Sequence, residues 1–169
     1  MEMKMKINGL AAMVLPVIIF GILGVSCDPS KKWEKDEKRQ IESFIATRGD
    51  TVYEHKPSGL YITTIQEGTG IAPDDKDTVS IRFTGYFLDY RIFDSNIGLT
   101  QPLSFILGSG YIIEGLDEGI SYMKKGGRAK MVTPSSLAYG GMGIRGLLSG
   151  YTPLLWDIQV VEVKPVSKK

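Results

Sequence analysis

The chain has 169 residues, with 20 lysines and arginines against 19 aspartates and glutamates, so its formal net charge is only +1. This balance argues against a dedicated nucleic-acid binder, and we expect no nucleic-acid partner. Because Cys27 and His55 are the single cysteine and the single histidine, an internal disulfide is impossible, and we expect no Cys/His metal cluster and no cofactor. Twenty glycines favour short strands and turns over long helices.

The first 26 residues have the pattern of an export signal or a membrane anchor. Two lysines and one glutamate in residues 1–7 precede residues 10–25, an uncharged run just short of a membrane span. Small residues leading into Cys27 resemble a bacterial lipoprotein signal, which is cleaved before a cysteine that then carries lipid. A retained transmembrane helix is the alternative, since the length does not exclude it. In both cases we expect the remaining chain to be tethered in the bacterial cell envelope, outside the cytoplasm.

A charged helix is predicted next, over residues 31–48, with Gly49 as its stop signal. Its apolar residues fall at helical spacing and form a narrow stripe: Trp33, Ile41, Phe44 and Ile45. Basic and acidic residues alternate on the other faces, which argues against a helix lying on a membrane surface. We expect the helix either to pack its stripe on the following domain or to act as a spacer. Residues 27–58 are therefore interpreted as the lipid-attachment cysteine, this helix and a linker.

The next segment contains polar residues that we interpret as solvated. His55 lies in a polar, irregular stretch and is expected to be a surface residue rather than a ligand or a base.

Residues 59–66 predict a strand, closed by the turn sequence EGTG. The three aspartates within residues 74–77 lack the glycine and distal glutamate of a calcium loop, so we interpret this segment as a turn.

The strongest indication of function lies in residues 79–96, VSIRFTGYFLDYRIFDSN. Its first half alternates apolar and polar residues, the period-two pattern of a half-buried strand. A turn follows, and the chain returns through Ile92 and Phe93. Asp94 then places a carboxylate directly beside the apolar interior, which costs free energy unless the carboxylate is hydrogen-bonded or functional.

The remaining elements follow in the order strand, helix, strand, loop, strand. Leu103, Phe105 and Leu107 alternate as a strand, and apolar residues at intervals of three and four predict a short helix over residues 113–123. Residues 128–133 and 154–163 predict two more strands. One helix among several strands indicates an antiparallel sheet with the helix on one face, an α+β domain.

The loop of residues 134–152 separates the last two strands. Loops of this length in a compact domain are usually functional or disordered. Residues 141–146 match the pattern G-x-G-x-x-G, but a dinucleotide site needs a strand before this motif and a helix after it. Neither is predicted here, so we interpret the match as coincidence.

Several of these segments together resemble the FKBP-type peptidyl-prolyl cis-trans isomerase family. They occur in the family's order and spacing: VSIRFTGYF, FDSN, PLSFILGSGYIIEGLDEGISYMKKGGRAKMVTP, LAYG and LLWDIQVVEV. The resemblance covers about residues 59–163, and we expect an isomerase domain at residues 59–165. It implies a curved antiparallel sheet of about five strands wrapped around one short helix, preceded here by the charged helix and the signal or anchor segment. It also implies activity on proline-containing polypeptides, no cofactor and a monomer.

The resemblance also implies site residues, which we carry over position by position. Those expected to act in catalysis are Phe93, Asp94, Ile113 and Tyr139. Those expected to bind the substrate are Phe83, Leu103, Ile112, Leu116, Ile144, Leu148 and Trp156. Two positions depart from the family: Phe83 lies where tyrosine is usual, and Leu99 lies where some members have a basic residue that pairs with the acid. Asp94 is therefore expected to be held by Tyr139 or by backbone groups.

Two functions of different classes follow from this site. In the first, a dry apolar pocket lowers the barrier to rotation about X-Pro bonds in exported or envelope proteins, with no nucleophile or metal. In the second, the same cleft is a non-catalytic peptide-binding or chaperone module, which Phe83 and Leu99 favour. A weaker third possibility is a structural envelope component that keeps the fold as a scaffold.

Overall fold

The computed structural model describes residues 29–49 and 51–166. The predicted export signal and Cys27 lie outside these ranges. In chain order the elements are α1 (Pro29–Ala46), β1 (Glu54–His55), β2 (Tyr61–Gln66), β3 (Thr78–Phe87), β4 (Ile92–Ser95), β5 (Leu103–Ile106), α2 (Glu114–Ser121), β6 (Arg128–Thr133), a 3-10 turn (Ser135–Leu137) and β7 (Leu154–Lys164). No helix in the two described ranges is long and apolar enough to cross a membrane.

The strands form one antiparallel sheet in the order β1-β2-β6-β7-β3-β4, with β5 also paired to β3. Strands β3 and β7 form its centre and pair over ten residues of β3. The predicted α+β class is confirmed. The sheet has seven strands rather than about five; among those not anticipated is the two-residue β1, which contains His55 in a segment that the sequence analysis treated as irregular. The His55 side chain is exposed, as expected, and stacks on Tyr61 at 4.3 Å between ring centroids.

The two faces of the sheet are covered by different helices. Along β7, Trp156 and Ile158 point into a core that includes Leu116 and Ile120 of α2, whereas Leu155 joins a second cluster with Ile41 and Phe44 of α1. Neighbouring strand residues point to opposite faces, so α1 and α2 lie on opposite sides of the sheet. Of the two possibilities for the charged helix, the structure therefore has the packed one.

Glycine allows α2 to lie close to the sheet. A Cβ atom at Gly115 would come within 2.6 Å of the Thr133 Cγ2 atom, and one at Gly119 would overlap the Met131 side chain. Both glycines are buried in the interface between α2 and β6. The short helix can thus approach the strand that precedes the 3-10 turn, and this approach places the N-terminal end of α2 beside the site described below.

Because the stripe of α1 is buried, Phe44→Ala is expected to lower the free energy of unfolding by about 3–5 kcal/mol. Phe44 is only 7% exposed, and its ring also contacts the Arg48 guanidinium. Urea denaturation followed by circular dichroism measures the effect. Val52→Ala is the control, because Val52 is 87% exposed and its truncation should leave stability nearly unchanged. An unchanged Phe44→Ala midpoint would mean that α1 is a spacer outside the cooperative unit.

Candidate active site

A cavity of about 500 Å³ opens beside the N-terminal end of α2. It receives side chains from β3, β4, β5, the segment before α2, the loop after the 3-10 turn, and β7. Its lining residues are Ile81, Phe83, Asp94, Leu103, Gly110, Tyr111, Ile112, Ile113, Leu116, Tyr139 and Trp156. Eight of the eleven residues that the family resemblance assigned to the site are in this set, so segments separated by more than seventy residues converge as predicted.

The Trp156 indole is fixed at one wall of the cavity by packing and by a hydrogen bond. The residue is 2% exposed, and its Nε1 donates to the Thr133 hydroxyl at 3.0 Å. Its ring lies 6.0 Å from that of Phe83 and 5.2 Å from that of Phe93, the latter nearly perpendicular. Such edge-to-face contacts are favourable because they bring the positive edge of one ring to the negative face of the other. The aromatic wall is therefore rigid.

Gly85 leaves room for the rings of Trp156 and Phe93 beside the backbone of the sheet. It pairs with Trp156 across β3 and β7, and with Asp94 across β3 and β4. A Cβ atom at this position would lie 2.7 Å from Phe93 Cζ and 2.8 Å from Trp156 Cζ3. The pairing of β3 with β4 shifts its register between Gly85 and Tyr86. The absence of a side chain thus lets both rings pack directly on the backbone.

Three predicted site residues support the cavity rather than line it. Phe93 is half-buried and packs between Trp156 and Phe87. Ile144 and Leu148 exchange backbone hydrogen bonds of 2.9 and 2.8 Å and pack on the main core. They belong to the loop that carries Tyr139, so their effect on the cavity is to hold that loop in place. This loop also contains residues 141–146, which lie between the 3-10 turn and β7 without the strand and helix of a dinucleotide site.

Asp94 and Tyr139 form the polar part of the rim. The Asp94 side chain is exposed, so water solvates the carboxylate that the sequence analysis placed beside the apolar interior. Neither Tyr139 nor a backbone group of the described residues makes a hydrogen bond to it, contrary to expectation. Burial raises the pKa of the half-buried Tyr139 hydroxyl, and the negative charge of Asp94 raises this pKa further. The hydroxyl therefore remains protonated at neutral pH and can donate a hydrogen bond.

Ile113 contributes both a side chain and a backbone donor. It is the residue before the first turn of α2, with an extended backbone, and its carbonyl accepts from the N–H groups of Leu116 and Asp117 at 3.1 Å. Within the described part of the chain its own N–H donates to no partner. Helix N-termini leave such donors unsatisfied. The site thus combines an apolar wall with two donors, this N–H and the Tyr139 hydroxyl.

Two residues that were not predicted as part of the site, Arg82 and Asn96, hold the β4–β5 loop. The Arg82 guanidinium donates to the carbonyls of Asn96, Leu99, Thr100 and Gln101 at distances between 2.6 and 3.3 Å. The Asn96 side chain accepts from the N–H of Phe83 at 2.8 Å and donates to the carbonyl of Ile81 at 2.9 Å. An arginine on the polar side of an alternating strand was the available signal. These contacts fix the loop that connects Asp94 to Leu103.

Tyr111 and Ile81 were also missed. Tyr111 lines the cavity while 68% of its surface is exposed, and an exposed aromatic residue next to the aliphatic pair of Ile112 and Ile113 could have indicated it. Ile81 was placed on the core face of β3, which is correct, but that face also forms the deep end of the cavity.

Two larger hollows, of about 660 and 800 Å³, lie along α1. None of the predicted site residues lines either of them. Both combine charged residues of α1 with a few apolar or aromatic ones, such as Ile41 and Tyr61 in the first and Phe44 in the second, and neither is lined by Trp156 or Leu116. For the binding of an apolar side chain, the smaller cavity has the better surface, because it is walled by aromatic and aliphatic groups.

Fold and site together define a class of α+β domain, in which one short helix closes an antiparallel sheet around an apolar cavity with a polar rim. The profile of the FKBP-type peptidyl-prolyl cis-trans isomerase family matches residues 70–161. That match spans more than half of the chain and includes most of the cavity. The chain therefore belongs to the FKBP-type peptidyl-prolyl cis-trans isomerase family, and the resemblance seen in the sequence is confirmed.

Two bacterial relatives agree with this assignment. The chain is 34% identical over 151 residues to the FKBP-type peptidyl-prolyl cis-trans isomerase FkpA of Escherichia coli K12, a match that covers 85% of this chain and 54% of FkpA. It is 34% identical over 105 residues to the FK506-binding protein of Neisseria meningitidis serogroup B, covering 62% of this chain and 96% of that protein. The chain thus spans about half the length of FkpA.

Solved structures show the same fold. The crystal structure of a peptidyl-prolyl cis-trans isomerase from Pseudomonas syringae pv. tomato superposes with a TM-score of 0.69 at 29% identity, covering 82% of this chain and 98% of that one. The crystal structure of Escherichia coli FkpA gives a TM-score of 0.68 at 34% identity, covering 80% and 64%. Both matches extend beyond the family profile to most of the described chain.

The charge of Asp94 is expected to be measurable at Tyr139. In Asp94→Asn the Tyr139 pKa should fall, because a negative charge no longer opposes phenolate formation. It should stay above the ordinary tyrosine value, since burial, the larger cause, remains. An NMR titration with ¹³C-labelled tyrosine measures the pKa, with the Tyr139 signal assigned from Tyr139→Phe. The control is Asp89→Asn, which removes an exposed carboxylate paired with Arg91. An unchanged Tyr139 pKa in Asp94→Asn would exclude the proposed charge interaction.

Proposed function

We propose that this chain catalyses cis–trans rotation about X-Pro peptide bonds and binds the proline ring in the 500 Å³ cavity. The observation that carries the proposal is the combination of a rigid aromatic and aliphatic wall with two hydrogen-bond donors at its rim. A proline ring is a small apolar group, and the walls formed by Phe83, Leu103, Leu116 and Trp156 suit it.

The physical problem is the barrier to rotation, about 18–20 kcal/mol, which makes uncatalysed exchange take tens to hundreds of seconds. The barrier arises from partial double-bond character in the planar amide. Water supports that character by solvating the charge-separated resonance form. A cavity that excludes water removes this support, and at the twisted transition state the carbonyl carries less charge. An apolar site therefore binds the transition state in preference to the planar ground state.

The rim groups hold the substrate chain while the bond rotates. The Ile113 N–H donates to the carbonyl before the proline or to its neighbour, and the Tyr139 hydroxyl donates to a second carbonyl of the peptide. Asp94 is exposed to water, and its charge adds to the effect of burial in raising the pKa of the Tyr139 hydroxyl. The rotation itself needs no nucleophile, metal or proton transfer, so the catalytic power resides in desolvation and shape.

This mechanism ranks the side chains by their effect on kcat/KM. Trp156→Leu is expected to lower kcat/KM by about tenfold or more, equivalent to about 1.4 kcal/mol, because it removes contact area and admits water. Asp94→Asn keeps shape and hydrogen-bonding capacity and should lower kcat/KM only a few-fold, below about 1 kcal/mol. Phe83→Tyr, which introduces the family's usual hydroxyl, should be neutral or mildly activating. The measurement is a protease-coupled assay on one Ala-Pro or Leu-Pro peptide.

Phe105→Leu is the matched control, since it shortens a buried aromatic residue that does not line the cavity. Folding of every variant is checked by circular dichroism. A loss in Asp94→Asn far greater than that in Trp156→Leu would show that the acid performs electrostatic or chemical work, and the desolvation mechanism would have to be abandoned.

A second function, peptide binding without catalysis, is favoured by the apolar residues exposed near the cavity. They lie on the segment that follows Asp94, on the cavity rim, and on the loop that carries Tyr139: Ile97, Leu99, Tyr111, Met142 and Leu147. Exposed apolar groups near a binding site suit unfolded polypeptides. No acceleration at micromolar protein with an intact fold, together with suppressed aggregation of an unfolded client, would select this function instead.

We further propose that the protein works in the bacterial cell envelope on exported polypeptides, as a monomer tethered to a membrane. The support is the sequence of residues 1–27, an apolar run that ends at a cysteine. In this proposal residues 1–26 are the signal, residues 27–58 carry the lipid and α1, and residues 59–165 form the isomerase domain. The retained transmembrane helix is the alternative for the tether.

Cys27→Ala distinguishes the two tethers. If Cys27 carries lipid, the variant should lose the label in cells fed a clickable fatty acid, and it should fractionate differently from the wild type. Immunoblotting of membrane and soluble fractions gives the distribution and the chain length. If the variant remains wholly in the membrane fraction at full length, the uncleaved helix is the anchor.

A further inference from the structure

A buried carboxylate on α1 lies outside the proposed site and is not used by the mechanism above. Glu37 is 6% exposed, although most neighbouring residues of the helix are solvated. Its Oε1 accepts the N–H of Ser135, and its Oε2 accepts the Ser135 hydroxyl at 2.8 Å. Burying a carboxylate is unfavourable unless it is well hydrogen-bonded. Both Glu37 oxygens thus accept hydrogen bonds from the same residue, Ser135, which lies 98 positions later in the chain.

Ser135 anchors the backbone segment that contains Tyr139. It is itself 3% exposed and begins the 3-10 turn after β6. Its carbonyl accepts the N–H of Ala138 at 2.9 Å and that of Gly140 at 2.7 Å. These two donors flank Tyr139 directly. The position of Tyr139 therefore depends on the position of Ser135.

A second contact from α1 reaches the other side of the same loop. The Trp33 ring stacks on that of Tyr151, with 6.5 Å between centroids and 13° between planes. The Tyr151 N–H donates to the Gly140 carbonyl at 3.0 Å. A side chain at Gly141 would overlap the Tyr151 ring. Helix α1 thus holds the loop at its beginning and near its end, from the face of the sheet opposite α2.

We propose that Glu37 is a positioning residue, which sets the Tyr139 wall of the cavity through its two hydrogen bonds to Ser135. The proposal rests on the isomerase function for its kinetic consequence, but not for its structural one. Helix α1 is then part of the peptide-binding apparatus although none of its residues lines the cavity. Its loss should weaken substrate binding more than the rotation step, because the Trp156 wall is anchored independently by Thr133.

The test uses the full chain with Glu37→Gln, Ser135→Ala and the double variant. Glutamine keeps one acceptor oxygen for the Ser135 N–H, but its amide group can meet the Ser135 hydroxyl only as a donor, so this hydrogen bond must reverse its direction and loses its charge. We expect kcat/KM on an X-Pro peptide to fall by about three- to tenfold in Glu37→Gln, mostly through KM. The fall in the double variant should be smaller than the product of the two single falls, since both changes act on the same hydrogen bond between the Ser135 hydroxyl and residue 37. Glu42→Gln is the control, because this exposed glutamate on α1 forms an ion pair with Lys38 and does not contact Ser135 in the described residues.

Two readouts do not require catalysis. The ¹³C NMR signal of Tyr139, assigned from Tyr139→Phe, should shift in Glu37→Gln and stay in place in Glu42→Gln. Peptide affinity, measured by the fluorescence of Trp156 in a Trp33→Phe background, should weaken in Glu37→Gln. If the wild type lacks isomerase activity but these two shifts occur, the proposed function fails and the positioning role stands. An unmoved Tyr139 signal in folded Glu37→Gln, or additive losses in the double variant, would overturn the positioning role.

Discussion

The contact between Trp156 and the backbone of Gly85 is the constraint on which the cavity depends. The central pair of strands, β3 and β7, brings these residues opposite each other, and the missing side chain lets the edges of the indole and of the Phe93 ring approach the backbone. The Thr133 hydroxyl then fixes the indole through its N–H, so a buried donor is satisfied without introducing a charge. A wall that cannot relax excludes water in the same way for every substrate, which a desolvation mechanism requires.

A helix packs on each face of the sheet, and the two helices affect the cavity in different ways. Helix α2 can approach β6 because Gly115 and Gly119 leave room, and this approach aims the N-terminal end of the helix at the cavity. Helix α1 buries Ile41 and Phe44 against Val132 and Leu155 on the opposite face. Since β6 and β7 contribute residues to both cores, packing on the outer face stabilises the same strands that border the site. The accessory helix and the site are therefore parts of one structure.

Alternation and helical spacing were sufficient to predict most of the strands and the short helix, because they directly report which face is buried. The eight cavity residues were instead carried over from the family resemblance. The role of α1 was left open, since an apolar stripe does not identify the surface that it covers. The resemblance also assigned Phe93, Ile144 and Leu148 to the site, but it could not distinguish residues that line the cavity from residues that pack behind its wall. Contacts such as those of Arg82 with four loop carbonyls join groups up to 19 residues apart and have no periodic signature.

The exposure of Asp94 changes how the polar rim should be understood. A buried carboxylate with a hydrogen-bonded partner would interact strongly with neighbouring groups. The electrostatic interactions of a solvated carboxylate are instead weakened by water and by salt. Its charge still raises the pKa of Tyr139, although burial is the larger cause of that increase. Phe83, which lacks the hydroxyl usual in the family, and Leu99, which lacks the basic group found in some members, fit this arrangement, because an acid that is solvated needs neither partner. The apolar wall then supplies the preference for the twisted bond, and the rim supplies orientation.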